Sequence, residues 1–108
     1  MNLTISFNAL VGITTPQTIN IEGYIKKKKV IVMIDSGSTH NFIHCKIRIE
    51  LLLYPTPKCQ VMVANGGTIN FSGKCHNVKI TMGKCVFNSP IISIPMGGAD
   101  VVLIFQWL

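Results

Sequence analysis

The chain has 108 residues and a mass of 11.9 kDa, the size of one domain. Hydrophobic residues make up 48% of it and charged residues 13%, which excludes intrinsic disorder because disordered chains combine low hydrophobicity with high charge. The longest apolar runs, 30–34 and 101–105, have five residues, whereas a membrane-spanning helix needs about 20. No basic region followed by a long apolar stretch begins the sequence, so we read no secretory signal and expect an intracellular, cytoplasmic protein.

The net charge is +6, and four of the ten positive residues form the run Lys26–Lys29. A lysine run between two apolar segments is typical of a solvated turn, and a basic patch that binds nucleic acid is the alternative. Because no aromatic residues alternate with these lysines, base stacking has no support and the pattern favours the turn.

Metal-ligand spacing is absent, because none of the four cysteines forms a C-x-x-C pair. We predict reduced, buried cysteines, with metal ligation and disulfides as alternatives. No metal and no other cofactor is expected. The residues concerned are Cys45, Cys59, Cys75 and Cys85.

Short apolar segments separated by turns predict an all-β sandwich or barrel. Alternation over Asn2–Ala9 predicts a first strand, and Thr18–Ile25 and Val30–Ile34 predict a hairpin around the lysine run. Val30–Ile34 is apolar without alternation, so we expect it to be buried on both faces. The residues expected on the inward face of the hairpin's first strand are Ile19, Ile21 and Tyr24.

Beyond Asp35 the apolar spacing of 42–51 predicts a short helix with Ser38 or Thr39 as N-cap, although 47–53 also fits a strand. Pro55 and Pro57 then require extended backbone. Two hairpins follow, one turning at Asn65-Gly66 and the other at Gly83-Lys84. The last two predicted strands are Ile91–Ile94 and Val101–Phe105.

Asp35 stands apart from the other three carboxylates, because it directly follows the most interior predicted strand. A buried carboxylate costs free energy unless it is hydrogen-bonded. Ser36, Ser38 and nearby backbone amides can supply those bonds, and Gly37 permits a tight turn. The alternative is a turn aspartate that caps the following helix.

The longer string Val30–Ile43 closely resembles the retropepsin-like aspartic protease domain of plant gypsy-class LTR retrotransposon polyproteins. The likeness extends over nearly the whole chain in the same order. Its further segments are 3–12, 16–18, 61–66, 71–75 and 98–108.

This resemblance implies an all-β fold, a small closed β-barrel of the acid-protease type with one or two short helices, as a single domain over 1–108. It implies an aspartic endopeptidase with Asp35 as the catalytic residue, cleaving a retrotransposon polyprotein. The Asp-Ser-Gly turn occurs once, because Asp100 is followed by Val-Val, so the second carboxylate would come from a second copy in a homodimer. The implied partners are this second copy and a polypeptide substrate, without metal, membrane or nucleic acid.

Supporting roles also follow from the resemblance. Ser36 would bond across the dimer axis, Gly37 would let backbone approach the carboxylates, and Ser38 would hydrogen-bond Asp35. The hairpin turn would be a flap that closes over an extended peptide. Its residues are Ala64, Asn65, Gly66 and Gly67.

This chain departs from the family pattern at Ile104, where the family usually has glycine close to the catalytic turn. The pattern also continues beyond Leu108 through a helix and a terminal segment, which we expect this chain to lack. Two alternatives therefore stand beside the protease. One is the same fold without catalysis, a degenerate element or an interaction scaffold, and the other is an unrelated basic β-domain that binds nucleic acid.

Overall fold

A computed structural model describes residues 3–13, 15–16, 18–47, 53–63 and 66–104. Strands make up 59% of the structure, and the predicted all-β class is confirmed. None of the helices among these residues is long and apolar enough to cross a membrane. In chain order the elements are β1 (Thr4–Ile5), α1 (Phe7–Val11), β2 (Thr18–Ile25), β3 (Lys28–Asp35), β4 (Phe42–His44), β5 (Leu53–Val63), β6 (Thr68–Met82), β7 (Cys85–Ile94) and β8 (Val101–Ile104).

Six strands close into a β-barrel in the order β6-β2-β3-β8-β4-β7, and β7 pairs back with β6 to complete the ring. Closure removes most of the exposed strand edges that an open sheet of this size would leave. Outside the ring, β5 continues the sheet from β6, and β1 pairs in parallel with β5. The predicted closed barrel is therefore confirmed.

Strand β3 is the predicted interior strand, but the prediction of burial on both faces is wrong at Ile31, which is 38% exposed. It pairs with β2 on one side and β8 on the other, and its alternate side chains enter two separate apolar clusters. Val30, Val32 and Ile34 lie in a cluster built by all six barrel strands, whereas Met33 packs into a second cluster with α1, β1 and β5. A strand with neighbours on both faces needs apolar residues without alternation, as this one has.

All four lysines of the run are exposed, as predicted; Lys26 and Lys27 form the β2–β3 turn, and Lys28 and Lys29 begin β3. Lys26 and Lys27 both adopt positive φ, at 48° and 69°. Lys29 forms an ion pair with Glu22 across the two strands at 2.8 Å. The hydrogen bond to this carboxylate, and then the attraction between the charges, raise the pKa of Lys29.

The predicted inward face of β2 is wrong at all three predicted positions. Ile19 is 56% exposed, and Ile21 and Tyr24 are exposed as well, while Gly23 and Ile25 are buried. The described part of β6 reaches β2 only at the Tyr24–Thr81 pair, so the beginning of β2 lies outside the closed part of the barrel. Alternation alone does not reveal where a barrel stops covering a strand.

The predicted first strand is also wrong beyond Ile5, because 7–11 form helix α1. Ile5 and Ala9 are buried four residues apart, whereas Phe7 between them is 42% exposed. Ser6 is the N-cap, and Gly12 ends the helix with φ of 83°. The residues at 3, 5, 7 and 9 fit a strand period, but the buried pair has helical spacing.

The predicted helix over 42–51 is wrong where the structure describes it. Residues 42–44 form β4, which pairs in parallel with β7 and antiparallel with β8, and 48–52 lie outside the described residues. Phe42 and Ile43 are adjacent yet enter opposite clusters. Two successive buried residues therefore mark a strand covered on both faces here rather than one helix face.

Both later hairpins are confirmed, and the single long strand β6 serves them both. Its Ile69 lies opposite Val61 of β5, and its Ile80 lies opposite Phe87 of β7. The register with β5 is irregular between Pro55 and Cys59, which fits prolines that cannot donate to a ladder.

The predicted burial of the cysteines is wrong at two positions, because Cys45 and Cys85, which are free thiols, lie on the surface. Both stand beside tight turns, where side chains are exposed whatever their polarity. Nothing in the described residues tests the side chains of Cys59 and Cys75. Within the described chain no three His, Cys, Asp or Glu side chains come together as possible metal ligands.

Candidate active site

Asp35 is the last residue of β3 and is only 3% exposed. Its strand neighbours are Thr18 of β2 and Ile104 of β8. Since β3 and β8 run parallel, both strands end at the same edge of the barrel. The fold thus places one carboxyl group at the end of a strand that pairs with a neighbour on each side, where a loop begins.

Three donors hold the Asp35 carboxylate. The Ser38 hydroxyl donates to Oδ2 at 2.7 Å, the Ser6 hydroxyl donates to the same oxygen at 2.8 Å, and the Gly37 N–H donates to Oδ1 at 3.2 Å. These bonds offset the cost of removing the carboxylate from water. The hydrogen bond expected between Ser38 and Asp35 is therefore present.

Ser6 is the contact that sequence reasoning missed. It lies 29 residues before Asp35 and meets it because β1 and α1 pack against the turn that follows β3. Its Oγ also accepts the N–H of Ala9 as the helix N-cap, and its N–H donates to Ser38 Oγ. The signal available was the pair Ser6 and Gly12, a capping serine and a terminating glycine on either side of a short segment.

Gly37 packs closely against Ser6 and Asp35. A Cβ at this position would lie 3.1 Å from the Cβ of Ser6 and 3.6 Å from Asp35 Oδ1. Ser36 and Gly37 are both exposed. The turn thus lies on the surface, with the carboxylate directly beneath it.

Asn41 holds the other side of the site. Its buried side chain accepts the N–H of Ile104 at 2.8 Å and donates to Ser89 Oγ at 2.6 Å. Ile104 is the register partner of Asp35, so Asn41 fixes the end of β8 next to the carboxylate.

The predicted flap is the turn of the β5–β6 hairpin. Gly66 and Gly67 are exposed, Gly66 has φ of 99°, and Ala64 and Asn65 lie outside the described residues. The turn end of the hairpin is close to the site, because Val63, the last residue of β5, pairs with Ile5, the residue before Ser6. An exposed turn is therefore connected through one strand pair to the residues around Asp35.

The other carboxylates of the described chain are engaged elsewhere. Asp100 accepts the N–H of Ile31 at 2.7 Å, and Glu22 is the exposed partner of Lys29. Asp35 is thus the one buried carboxylate within the described residues. A single fixed carboxyl group beside an exposed turn can act as an acid or a base once a substrate and a second proton-exchanging group are present.

Sequence comparison agrees with this geometry. The sequence model of a family described as retroviral aspartyl protease matches residues 7–108, which include Asp35 and nearly all of the barrel. No curated protein matches the chain significantly. On the family match, which spans far more than half of the sequence, this chain is a member of the retroviral aspartyl protease family.

Proposed function

We propose that this protein is an aspartic endopeptidase that works as a homodimer and cleaves a retrotransposon polyprotein. The observation that carries the proposal is the Asp35 carboxylate, buried at the end of an interior strand and held by three donors beneath an exposed turn. Retroviral aspartyl proteases use such a carboxyl group, and the family match covers it.

The homodimer follows from the need for two carboxyl groups. In the described part of the chain, Asp100 and Glu22 are bonded away from the site, so one subunit supplies only Asp35. A second copy related by a two-fold axis would bring its own Asp35 to the same point. Because Ser36 and Gly37 are exposed, this turn is accessible to that copy, and Ser36 would bond across the axis.

The chemistry of the pair follows from their proximity. Two carboxyl groups a few ångströms apart cannot both ionise cheaply, so they share one proton, and aspartic proteases are themselves the established example of this coupling. The ionised group takes a proton from a bound water, whose oxygen attacks the scissile carbonyl carbon. The protonated group donates its proton to the carbonyl oxygen. Collapse of the tetrahedral intermediate, with a proton delivered to the leaving nitrogen, releases an amine and a carboxylic acid.

Substrate would be held in extended form. In the proposal, the β5–β6 turn with Gly66 and Gly67 is the flap, and its backbone would pair with the peptide and exclude water. Gly66 has φ of 99°, and a Cβ added to it would meet no atom of the described residues within 4 Å. This open space leaves the turn free to approach a peptide backbone.

The experiment is cleavage of denatured casein by the wild type and by the Asp35→Asn variant, with and without pepstatin. We expect pepstatin to inhibit the wild type and the substitution to remove at least about 99% of activity, because an amide cannot act as the base. Glu22→Gln is the matched control, since it neutralises an exposed carboxylate and should leave activity unchanged. Activity that survives Asp35→Asn would contradict the assignment.

The second candidate is an interaction scaffold with the same fold and no catalysis. Ile104 favours it, because a β-branched side chain occupies the strand position opposite Asp35, where the family usually has glycine. A dimer without cleavage of any denatured substrate would support the scaffold. Cleavage that depends on Asp35 would reject it.

A further inference from the structure

The Ser6 hydroxyl contacts Asp35 and has no part in the mechanism above. We propose that Ser6 is a positioning residue: with Ser38 it keeps Oδ2 of Asp35 as a hydrogen-bond acceptor and leaves Oδ1 to exchange the proton. The inference rests on the proposed function, since it concerns the same carboxylate. It adds a residue next to α1 to the machinery of the site.

Backbone groups orient both hydroxyls. A serine hydroxyl has one proton to donate and lone pairs to accept. Ser6 Oγ accepts the N–H of Ala9 at 3.1 Å, and Ser38 Oγ accepts the N–H of Ser6 at 3.1 Å. With an N–H directed at each oxygen, the hydroxyl protons are left to point at Oδ2, which lies 2.8 Å and 2.7 Å away. The donors are thus aligned before any substrate binds.

The two carboxylate oxygens have different surroundings as a result. Oδ2 accepts two O–H groups, which occupy both of its lone pairs. Oδ1 accepts the Gly37 N–H at a longer 3.2 Å, and no other donor among the described residues reaches it. A proton on Oδ2 would have to displace one of the hydroxyls. Oδ1 is therefore the oxygen with room for a proton, a water molecule or the partner carboxyl group.

The position of Ser6 is set by elements packed on both sides of it. Ile5 pairs with Val63 at the turn end of the β5–β6 hairpin, and Leu10 accepts the N–H of Gly97 at 2.7 Å near the other end of α1. The hydroxyl is thus held by the packing of β1 and α1 rather than by Asp35 alone. A group fixed in this way can position the carboxylate instead of following it.

The first test compares kcat and KM for casein cleavage among variants of Ser6. Ser6→Gly removes the hydroxyl but keeps a residue that caps helices well, and Ser6→Thr keeps the hydroxyl. We expect Ser6→Gly to lower kcat about tenfold with KM within about twofold, because Ser6 acts through Asp35 and does not touch substrate. Ser6→Thr should restore most of kcat. Phe7→Ala is the control, as it alters the exposed neighbouring residue in α1 and should keep the wild-type kcat.

The second test needs no catalysis. A double-mutant cycle of Ser6→Gly and Asp35→Ala in urea unfolding should show coupling of about tenfold in the unfolding equilibrium constant, or about 1.4 kcal/mol. Additive effects would overturn the inference, and so would an active Ser6→Gly enzyme with the wild-type kcat. If the cycle shows coupling but the wild-type protein cleaves no substrate, the positioning of Asp35 is supported and the proposed function is rejected. Failure of the inference and failure of the proposed function are therefore distinguishable.

Discussion

Asn41 connects strands that are far apart in sequence. Its side-chain amide contacts Ile104 of β8 and Ser89 of β7, and its backbone carbonyl oxygen accepts the N–H of Ile92. These partners are buried or half-buried, so few water molecules can replace the amide. Asn41 therefore supports the barrel and the site at once.

Asn41→Ala should lower the free energy of unfolding by about 2 kcal/mol, because it leaves the Ile104 N–H without its acceptor. Urea unfolding measures the loss. Asn88→Ala is the control, since Asn88 is exposed on the same strand as Ser89 and should stay within about 0.5 kcal/mol of the wild type. Equal losses in the two variants would contradict the role given to Asn41.

Single residues were predictable from sequence where the interaction is local. The Ser38–Asp35 bond joins residues three apart in one turn, so the string around Asp35 was sufficient to predict it. The Ser6–Asp35 and Asn41–Ser89 bonds join residues 29 and 48 apart. Such contacts depend on how whole elements pack, and no local pattern contains that information.

The β2–β3 turn carries backbone strain that a different sequence would relieve. A two-residue hairpin turn of this type requires positive φ at both central positions, and Lys26 and Lys27 adopt it despite their Cβ atoms. Each left-handed non-glycine residue costs about 1 kcal/mol. The fold therefore tolerates a turn that Asn-Gly would form more easily.

Replacing Lys26 and Lys27 with Asn and Gly should raise the free energy of unfolding by about 1 kcal/mol, because both residues accept positive φ. The midpoint of urea unfolding, at unchanged slope, reports the gain. A Lys26→Gln, Lys27→Gln double variant removes the same charges but keeps the strain. If that variant is stabilised equally, charge repulsion rather than backbone conformation explains the effect.

The end of α1 contacts the turn before β8 through two glycines. A Cβ on Gly98 would lie 2.1 Å from the Cα of Gly12, and a Cβ on Gly12 would lie 2.4 Å from the Cα of Gly98. Since both contacts are with backbone, no side-chain rotation can relieve them. This contact sets the distance between α1 and the barrel, and with it the position of Ser6.

Gly98→Ala should therefore cost about 2–3 kcal/mol in unfolding free energy, because the backbones must separate. Gly97→Ala is a closely matched control: its Cβ would come no nearer than 3.5 Å to any atom, an ordinary contact. That variant should remain within about 1 kcal/mol of the wild type. Thermal or urea unfolding of the two variants measures this difference. Similar stabilities would show that the contact between Gly12 and Gly98 does not require glycine.

Hairpins were predicted well where a turn signal separates two apolar runs. The β2–β3 and β6–β7 hairpins follow from turns between apolar runs, and their registers agree with this. The errors at α1 and β4 have a shared cause, since a short segment fits two periods and only its neighbours decide between them. At α1, the strand ends at Ile5, which pairs with Val63 of β5, and the helix begins after the N-cap Ser6.

At the level of the whole barrel, the apolar content of the chain fills two clusters that share β3, β4, β7 and β8. Asp35 ends β3, one of these four strands, and the strand pairs with a neighbour on each side. Asp35 is nevertheless the one buried carboxylate among the described residues, so each subunit of the proposed dimer would contribute a single such group. In such a dimer, activity would be proportional to the square of the fraction of subunits that carry Asp35.

Mixing wild-type protein with the Asp35→Asn variant tests this dependence. If each active site takes one carboxyl group from each of two copies, an equal mixture that exchanges subunits freely should retain about a quarter of the activity of the same total amount of wild type. Independent subunits would retain about half. Sedimentation of the mixture confirms that dimers form and exchange, and Glu22→Gln in place of Asp35→Asn should leave the activity of the mixture unchanged. A linear fall in activity with the wild-type fraction would show that one chain suffices for catalysis, and the shared site would have to be abandoned.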